Sequence, residues 1–133
     1  MTEKRKPYFE RAKRIVVKVG SGVLTRPDGL NTAAIRSISR QICRLIDGGR
    51  EIIVVSSGAM ASGFAKIGLA RRPDEIPQRQ AAAAVGQAGL IREYEKAFDR
   101  YRKKVAQILL TGDGLTSRKR YLNARHTLYT LLA

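Results

Sequence analysis

The sequence predicts an α/β protein whose parallel sheet is covered by helices on both faces. Three short runs rich in Val, Ile and Leu indicate buried strands, at residues 14–19, 51–55 and 104–111. The segments between them carry apolar residues at helical spacing and are long enough to hold crossover helices. Sheets of this kind bind ligands at the carboxyl ends of their strands, so the residues after each run are the first candidates for a site.

The first strand, "RIVVKV" at 14–19, follows a polar, basic leader, residues 1–13, for which we expect either disorder or a short helix. Glycines follow the strand directly and end it, because glycine is disfavoured in strands. The sequence "RPDG" at 26–29 then predicts a turn within a loop that spans residues 20–30.

A helix is predicted over residues 32–47, where Asn31 can cap the amino terminus. Gly48 and Gly49 then end the helix. Apolar residues recur at a spacing of three and four and predict one buried face, formed by Ile35, Ile38, Ile42, Leu45 and Ile46. Such a helix can carry the chain back from the first strand to the start of a parallel second strand.

The second half of the chain predicts three further helices and the third strand. The helices are expected at residues 58–68, at 77–101 and from 119 to the last residue, with a loop at 71–77. The longest of them would carry an apolar face of Val85, Leu90, Ile91, Tyr94 and Phe98. Its Gly86 and Gly89 indicate close packing or a bend, because glycine costs roughly 1 kcal/mol against alanine in a helix.

The composition restricts the class of protein. A single cysteine, Cys43, rules out an internal disulfide and fits a reducing cytosol. No apolar run reaches the ~20 residues of a membrane span, and the first residues lack a signal-peptide pattern. We therefore expect a soluble, cytoplasmic protein without a membrane partner.

The net charge of +15 favours polyanionic partners, so nucleic acid has to be considered. Residues 1–14 contain six Lys or Arg, and the other basic residues are scattered. With aromatic residues at 6%, the chain shows neither a stacking platform nor a DNA-binding motif. We interpret the charge as a solvated basic surface that also suits phosphorylated small molecules, and we do not expect nucleic acid as the main partner.

The motif "KVGSG" places Lys18 near the carboxyl end of the first strand, followed by Gly20, Ser21 and Gly22. A lysine on a buried strand is costly unless its charge meets an anion. Glycines let the backbone approach a ligand closely, and a lysine screens the charge of transferring phosphoryl oxygens. The motif therefore predicts a phosphate site, with an ordinary glycine-terminated strand as the alternative.

The second strand ends in Ser56, Ser57 and Gly58, where a helix is expected to begin. Free backbone N–H groups and the helix dipole attract an anion at such a position, and Ser57 adds a hydroxyl. An ordinary serine cap with small residues for packing is the alternative. Because both loops open on the same edge of a parallel sheet, we expect two adjacent anion sites, one for a phosphorylated and one for a carboxylated substrate.

Five segments occur in an order that closely resembles the amino acid kinase family, namely "VVKVGSGVLT", "IVVSSGAMASG", "QAAAAVGQAGL", "AQILLT" and "RYLNARHTL". The resemblance covers residues 14–133 and leaves the leader outside. It implies an open three-layer α/β/α sandwich with a mainly parallel sheet, incomplete at the carboxyl terminus. The members that it resembles transfer the γ-phosphoryl group of ATP to the side-chain carboxylate of L-glutamate, with Mg²⁺, as the first step of proline biosynthesis.

The resemblance also implies roles for individual residues. Lys18 would contact the phosphates and stabilise the transferring group, and residues 20–22 would form the glycine loop around the ATP phosphates. Ser57 would bind glutamate, with backbone contacts from Gly58 and Ala59 beside it. No metal-ligating residue is assigned in this chain. The family further implies a homo-oligomer in complete form and feedback inhibition by proline.

The last segment, "NARHTLYTLLA", predicts a helix without a terminating signal, and three parallel strands make a thin sheet with open edges. We therefore expect the first part of a larger domain. We expect it to be inactive as a kinase alone, because positioning and charge stabilisation need the whole site. Two other interpretations stay open from the residues: a small basic protein that binds nucleic acid or a partner subunit, and an inactive truncated fragment.

Overall fold

The computed structural model describes residues 6–27, 29–69, 74–110 and 112–133. In chain order these form α1 (Lys6–Arg11), β1 (Arg14–Val19), α2 (Ser21–Leu24), β2 (Thr25–Arg26), β3 (Gly29–Leu30), α3 (Thr32–Asp47), β4 (Glu51–Ser56), α4 (Ala59–Phe64), a 3₁₀ helix (Ala65–Ile67), α5 (Ile76–Asp99), α6 (Gly112–Thr116) and α7 (Arg118–Leu132). The leader, the turn at 26–29 and the loop at 71–77 each include positions outside the described ranges.

Strands β1 and β4 form the centre of the fold. They pair in parallel, with Arg14 opposite Glu51 at one end and Val19 opposite Ser56 at the other. Both strands are rich in β-branched residues, which pack well on a pleated surface. The predicted parallel pairing is confirmed, and β2 and β3 add a small antiparallel pair in the loop after β1.

Helix α3 connects the two parallel strands and begins where the sequence predicts. The Asn31 side-chain oxygen accepts a hydrogen bond from the Ala34 N–H at 3.2 Å, and the Asn31 amide donates to the Val23 carbonyl at 3.2 Å. These bonds satisfy one free N–H group of the first turn and fix the helix to the preceding loop. Gly49 ends the helix region with a φ of 79°, a conformation that favours glycine.

Helices α4 and α5 cross with their backbones in close contact, as the glycines of the long helix predict. A Cβ added to Gly86 would lie 1.7 Å from the carbonyl oxygen of Ala59. A Cβ added to Gly63 would lie 1.8 Å from the carbonyl oxygen of Ala82. Only glycine fits at these two positions, so the sequence fixes how closely the two helices approach.

The buried side chains of β1, α2, α3 and α5 make one core, formed by Val19, Leu24, Ile35, Ile42, Cys43, Leu90, Tyr94, Ala97 and Phe98. Helices α3 and α5 therefore cover one face of the parallel pair. On the other face, α7 approaches β1, and the Arg14 guanidinium carbon lies 4.7 Å from the centre of the Tyr129 ring. Because helices contact both sides of a parallel sheet, the predicted α/β class is confirmed.

The third strand predicted at 104–111 is wrong for the residues that the structure describes, because residues 103–110 form no strand. The segment nevertheless lies near the core. The Lys103 Nζ is 2.6 Å from the Asp47 Oδ1, and Val105 packs against the core cluster. Leu109, however, is 74% exposed. An apolar run indicates burial, whereas a strand also needs a neighbouring edge to which its N–H and C=O groups bond.

Two residues of the predicted apolar faces are also exposed. Leu45 of α3 is 39% exposed and Val85 of α5 is 41% exposed. The core covers an angular stripe of each helix, and side chains at the margin of that stripe remain in contact with solvent. The helical spacing of apolar residues therefore predicts the centre of a buried helix face better than its margins.

Residues 6–11 of the leader form helix α1. The Arg50 guanidinium donates to the Glu10 carbonyl at 2.7 Å and to the Ala12 carbonyl. It thereby satisfies acceptors at the end of α1, where carbonyl groups lack helical partners. Of the helices within the described ranges, none has the length and apolar character that crossing a bilayer requires.

Candidate functional site

Two loops meet at the carboxyl ends of β1 and β4. The Ser57 N–H and the Ser57 hydroxyl each donate to the Val19 carbonyl oxygen, both at 3.1 Å. Since Val19 is the last residue of β1, this double contact joins the end of one strand to the residue after the other. The structure therefore brings the two sequence motifs together at one edge, and we call Lys18, residues 20–22 and residues 57–59 the strand-end site.

Lys18 lies one residue before the end of β1, opposite Val55. It shares an exposed face with Val16, as the alternation of the strand predicts. The Lys18 side chain is exposed, and no carboxylate among the described residues lies within ion-pair distance of it. A flexible ammonium group without an acidic partner at a strand end can contact an anion that binds there.

The glycine segment after β1, residues 20–22, is open. The loop predicted there is partly wrong, because Ser21 and Gly22 form the first residues of α2 and Gly20 precedes that helix. Gly20 has extended backbone angles, and a Cβ added to Gly20 or Gly22 would find no atom within 4 Å. The segment is anchored to the core at its carboxyl end, because Leu24 is fully buried and the Thr25 hydroxyl donates to the Ser21 carbonyl at 2.8 Å. The loop is thus anchored at its far end and leaves open space around both glycines, which a ligand could occupy.

Gly58 links the second loop to the first. Its φ of 110° is a conformation that residues with a side chain rarely adopt. A Cβ built on it would lie 3.5 Å from the Leu24 Cβ and 3.7 Å from the Ser21 Cα. The turn after β4 therefore packs directly against the start of α2. The two loops form one continuous surface at the sheet edge.

The helix expected at 58–68 is shorter than predicted. Helix α4 covers Ala59–Phe64 and continues as the 3₁₀ helix Ala65–Ile67. A helix of this length contributes a small dipole, and the Ser57 N–H already donates to Val19. Within the described residues, the Gly58 and Ala59 N–H groups have no acceptor. The anion donors available here are therefore the N–H groups of residues 58 and 59, and the Ser57 hydroxyl if it rotates away from Val19.

Tyr94 reaches the same edge from α5, and the sequence interpretation assigned it to the apolar face only. Its hydroxyl lies 3.1 Å from the Ser56 hydroxyl, while its ring stacks on Phe98 with centres 6.4 Å apart. The side chain is only 5% exposed. Burial raises the pKa of the Tyr94 hydroxyl, and the hydrogen bond to Ser56 opposes that shift. The sequence carries one signal for this role of Tyr94: a tyrosine on the buried face of a helix needs a hydrogen-bond partner for its hydroxyl.

Three charged side chains form a cluster at the amino ends of β1 and β4, away from the strand-end site. The Glu51 carboxylate accepts from the Arg14 Nε at 2.7 Å and lies 3.4 Å from the Lys13 Nζ. The hydrogen bond from Arg14 lowers the pKa of Glu51, and Lys13 adds to the effect. The arrangement pairs the first residues of β1 and β4 and has a structural role. A cavity of about 250 Å³ near Arg14 lies between the sheet and α7, also away from the strand-end site.

No group of three or more His, Cys, Asp or Glu side chains that could hold a metal ion occurs among the described residues. The strand-end site offers N–H groups and one ammonium, which suit anions, together with hydroxyls. Lys18, residues 20–22 and residues 57–59 include no carboxylate, the side chain through which proteins usually bind Mg²⁺. The strand-end site therefore carries groups whose chemistry suits an anion.

Fold and site together define a parallel α/β protein with an anion-suited surface at the carboxyl ends of its strands. The model of the amino acid kinase family matches residues 13–133, which is most of the sequence. The chain belongs to the amino acid kinase family.

Three relatives show the similarity in detail. The chain is 53% identical over 130 residues to the glutamate 5-kinase of Geobacter sulfurreducens, covering 97% of this chain and 35% of that protein. It is 52% identical over 128 residues to the glutamate 5-kinase of Syntrophotalea carbinolica, covering 96% of this chain and 34% of that protein. The glutamate 5-kinase of Cupriavidus taiwanensis is 55% identical over 124 residues. The chain thus spans about a third of the length of these curated relatives.

Proposed function

We propose that this chain is the N-terminal part of a glutamate 5-kinase, which transfers the γ-phosphoryl group of ATP to the side-chain carboxylate of L-glutamate. The observation that carries the proposal is the junction of two anion-suited loops at one parallel edge, with Lys18 beside them and without an acidic partner in the described part. Transfer between two negatively charged substrates requires that their reacting groups be held next to each other, and two adjoining loops that suit anions allow this. The relatives are glutamate 5-kinases, which supports glutamate as the phosphoryl acceptor in this proposal.

In this proposal, residues 20–22 surround the ATP phosphates and Lys18 contacts the transferring group. A carboxylate oxygen of glutamate attacks the γ-phosphorus, the bond from that phosphorus to the β,γ-bridging oxygen breaks, and ADP leaves with the electron pair. Negative charge shifts onto the leaving oxygens, where the Lys18 ammonium stabilises it. Mg²⁺ would neutralise phosphate charge when bound with ATP. No Mg²⁺ ligand is assigned in this chain, since its described residues hold no cluster of three or more His, Cys, Asp or Glu side chains.

Ser57 and the backbone of residues 58 and 59 bind the glutamate side in this proposal. Gly58 and Ala59 supply N–H groups that have no acceptor in the described part of the protein. The Ser57 hydroxyl would exchange its bond to Val19 for one to the substrate carboxylate. Hydrogen bonds to a charged group contribute roughly 1.5–3 kcal/mol each, enough to set the affinity for glutamate.

The wider assignment follows from the same proposal. Residues 14–133 form the N-terminal part of an amino acid kinase domain, and residues 1–13 precede it as a basic leader. The complete protein would act in the cytoplasm as a homo-oligomer in proline biosynthesis, with proline as feedback inhibitor. We expect the 133-residue chain alone to release no ADP in a glutamate-dependent way, because transfer requires all positioning groups at once.

A chimeric enzyme tests the proposal. Residues 1–133 replace the matching region of the Geobacter sulfurreducens glutamate 5-kinase, and ADP release is measured against glutamate and ATP concentration. We expect an active chimera. Lys18→Ala should lower its kcat by about 100-fold or more, the loss that follows removal of one charge-stabilising donor. Ser57→Ala should raise the KM for glutamate by about tenfold and leave the KM for ATP unchanged.

Two variants serve as controls for these substitutions. Lys119→Ala removes an exposed lysine of α7, and Ser37→Ala removes a half-buried serine of α3. Both should leave the kinetics unchanged. A folded but inactive chimera would refute the proposed function, and so would Lys18→Ala with undiminished activity.

The alternative of a basic binding protein has one observation in its favour, the net charge of +15. Exposed Arg36, Arg40 and Arg44 repeat every four residues along α3 and have no carboxylate partner in the described part of the chain. Non-specific electrostatic binding weakens steeply with salt. Retention of a nucleic-acid complex at moderate salt would favour this alternative, whereas its loss would leave the kinase assignment as the better one.

A further inference from the structure

The turn that carries residues 57–59 is held at two points by a single helix. At its far end, Ala59 lies against Gly86 of α5, so closely that a Cβ on Gly86 would lie 1.7 Å from the Ala59 carbonyl oxygen. At its near end, the Tyr94 hydroxyl of the same helix lies 3.1 Å from the Ser56 hydroxyl. These two points are eight residues apart on α5, about 12 Å along its axis, so the helix spans the whole turn.

The two contacts differ in kind. The contact at Gly86 involves backbone atoms only and fixes a distance. The contact at Tyr94 is a hydrogen bond between two side chains, one of which is buried and packed on Phe98. A hydroxyl held by a packed ring has few alternative positions, so its hydrogen bond restricts the rotation of the Ser56 side chain.

We propose that Tyr94 is a positioning residue for the acceptor substrate, because its hydroxyl holds Ser56 and thereby orients the donors of residues 57–59. This inference rests on the proposed function for its substrate, L-glutamate. Ser57 follows Ser56 directly and is bonded to Val19 through both its N–H and its hydroxyl. A change in the orientation of the Ser56 backbone would therefore also move the Ser57 N–H and the Ser57 hydroxyl, which join the two loops.

The first experiment uses the 133-residue chain itself and needs no substrate. Amide hydrogen exchange is measured for Ser57 in the unaltered chain, in Tyr94→Phe, in Ser56→Ala and in the double variant. Tyr94→Phe keeps the ring and its packing and removes the hydroxyl alone. We expect the Ser57 amide to exchange about fivefold faster in each single variant, the effect of one neutral hydrogen bond. The double variant should be no faster than either single variant, because both remove the same bond.

The matched control is Tyr101→Phe, which removes the hydroxyl of a partly exposed tyrosine just after α5. It should leave the exchange of Ser57 unchanged. The reference is the set of protected amides in the middle of the β1–β4 ladder. A faster Ser57 amide with an unchanged ladder supports the positioning role. An unchanged Ser57 amide, or an equal acceleration across the ladder, would overturn it.

The second experiment places Tyr94→Phe in the chimeric enzyme and separates the kinetic constants. We expect the KM for glutamate to rise about fivefold, while kcat and the KM for ATP stay as they are. A fall in kcat with an unaltered glutamate KM would overturn the assignment to the acceptor side. If the unsubstituted chimera is folded but inactive, the proposed function fails, and the exchange experiment still decides whether Tyr94 orients the turn.

Discussion

The close crossing of α4 and α5 allows a sharp prediction for Gly86→Ala. A new Cβ would lie 1.7 Å from the Ala59 carbonyl oxygen and 2.7 Å from the Gly63 nitrogen. Ordinary contacts between such atoms lie near 3.5 Å, and both neighbours are backbone atoms that cannot rotate away. Helix α4 must therefore move by more than about 1 Å relative to α5 if the variant folds.

Gly89→Ala is the matched control, because it makes the same chemical change in the same helix. Its Cβ would lie 2.4 Å from the Lys66 Nζ, which is the end of a flexible, exposed side chain. Lys66 can swing aside at little cost. Both variants gain up to about 1 kcal/mol of helix propensity, so the difference between them isolates the steric contact.

We expect Gly86→Ala to be less stable than Gly89→Ala by about 3 kcal/mol, since overpacking against backbone is added to a shared gain in propensity. For a chain of 133 residues this difference corresponds to on the order of 10 °C in Tm. Urea unfolding followed by circular dichroism, together with thermal scans, measures it. Equal stability of the two variants would refute the close crossing and with it the geometry of the turn at Ala59.

Two further predictions concern the ionisable groups. Because Arg14 and Lys13 lower the pKa of Glu51 below its usual 4.5, the pair stabilises the fold above that pH and its contribution is lost as the pH falls through the lowered value. The Tm advantage over Glu51→Gln should therefore shrink between about pH 6 and pH 3, and a constant difference would contradict the pairing. Burial raises the pKa of the Cys43 thiol, with Asp47 adding to the shift and Lys103 opposing it. A disulfide reagent should modify the Cys43 thiol no faster than the protein unfolds, so the modification rate should rise with urea concentration. Rapid modification of the native protein without urea would be inconsistent with the burial of Cys43.

The elements with strong local signals were predictable from the sequence. The β-branched runs gave β1 and β4, and Asn31 together with Gly48 and Gly49 gave both ends of α3. In each case the residues that form the element also carry the physical cause of its boundary. The joining of two loops at one edge followed from the parallel order of the strands.

Other features depend on contacts between distant residues and could not be predicted in this way. Residues 104–110 have the composition of a strand, but they pair with no strand in the described structure. The two hydrogen bonds from Ser57 to the Val19 carbonyl depend on the register of β1 and β4. These strands pair residues 37 positions apart in the sequence, as Arg14 opposite Glu51 shows. Tyr94 has the spacing of a core residue, and only the packing of α5 against β4 reveals the partner of its hydroxyl.

The parallel pairing of β1 with β4 also bears on how the chain folds. Every bond of this ladder closes a loop of more than thirty residues, which is entropically slower to form than a hairpin. Helix α3 occupies sixteen of those residues, and each turn that forms early shortens the distance that the two strand segments must search. The Asn31 cap therefore affects the folding rate as well as the folded state. The strand-end site is completed only once this slow closure has brought Ser57 to Val19.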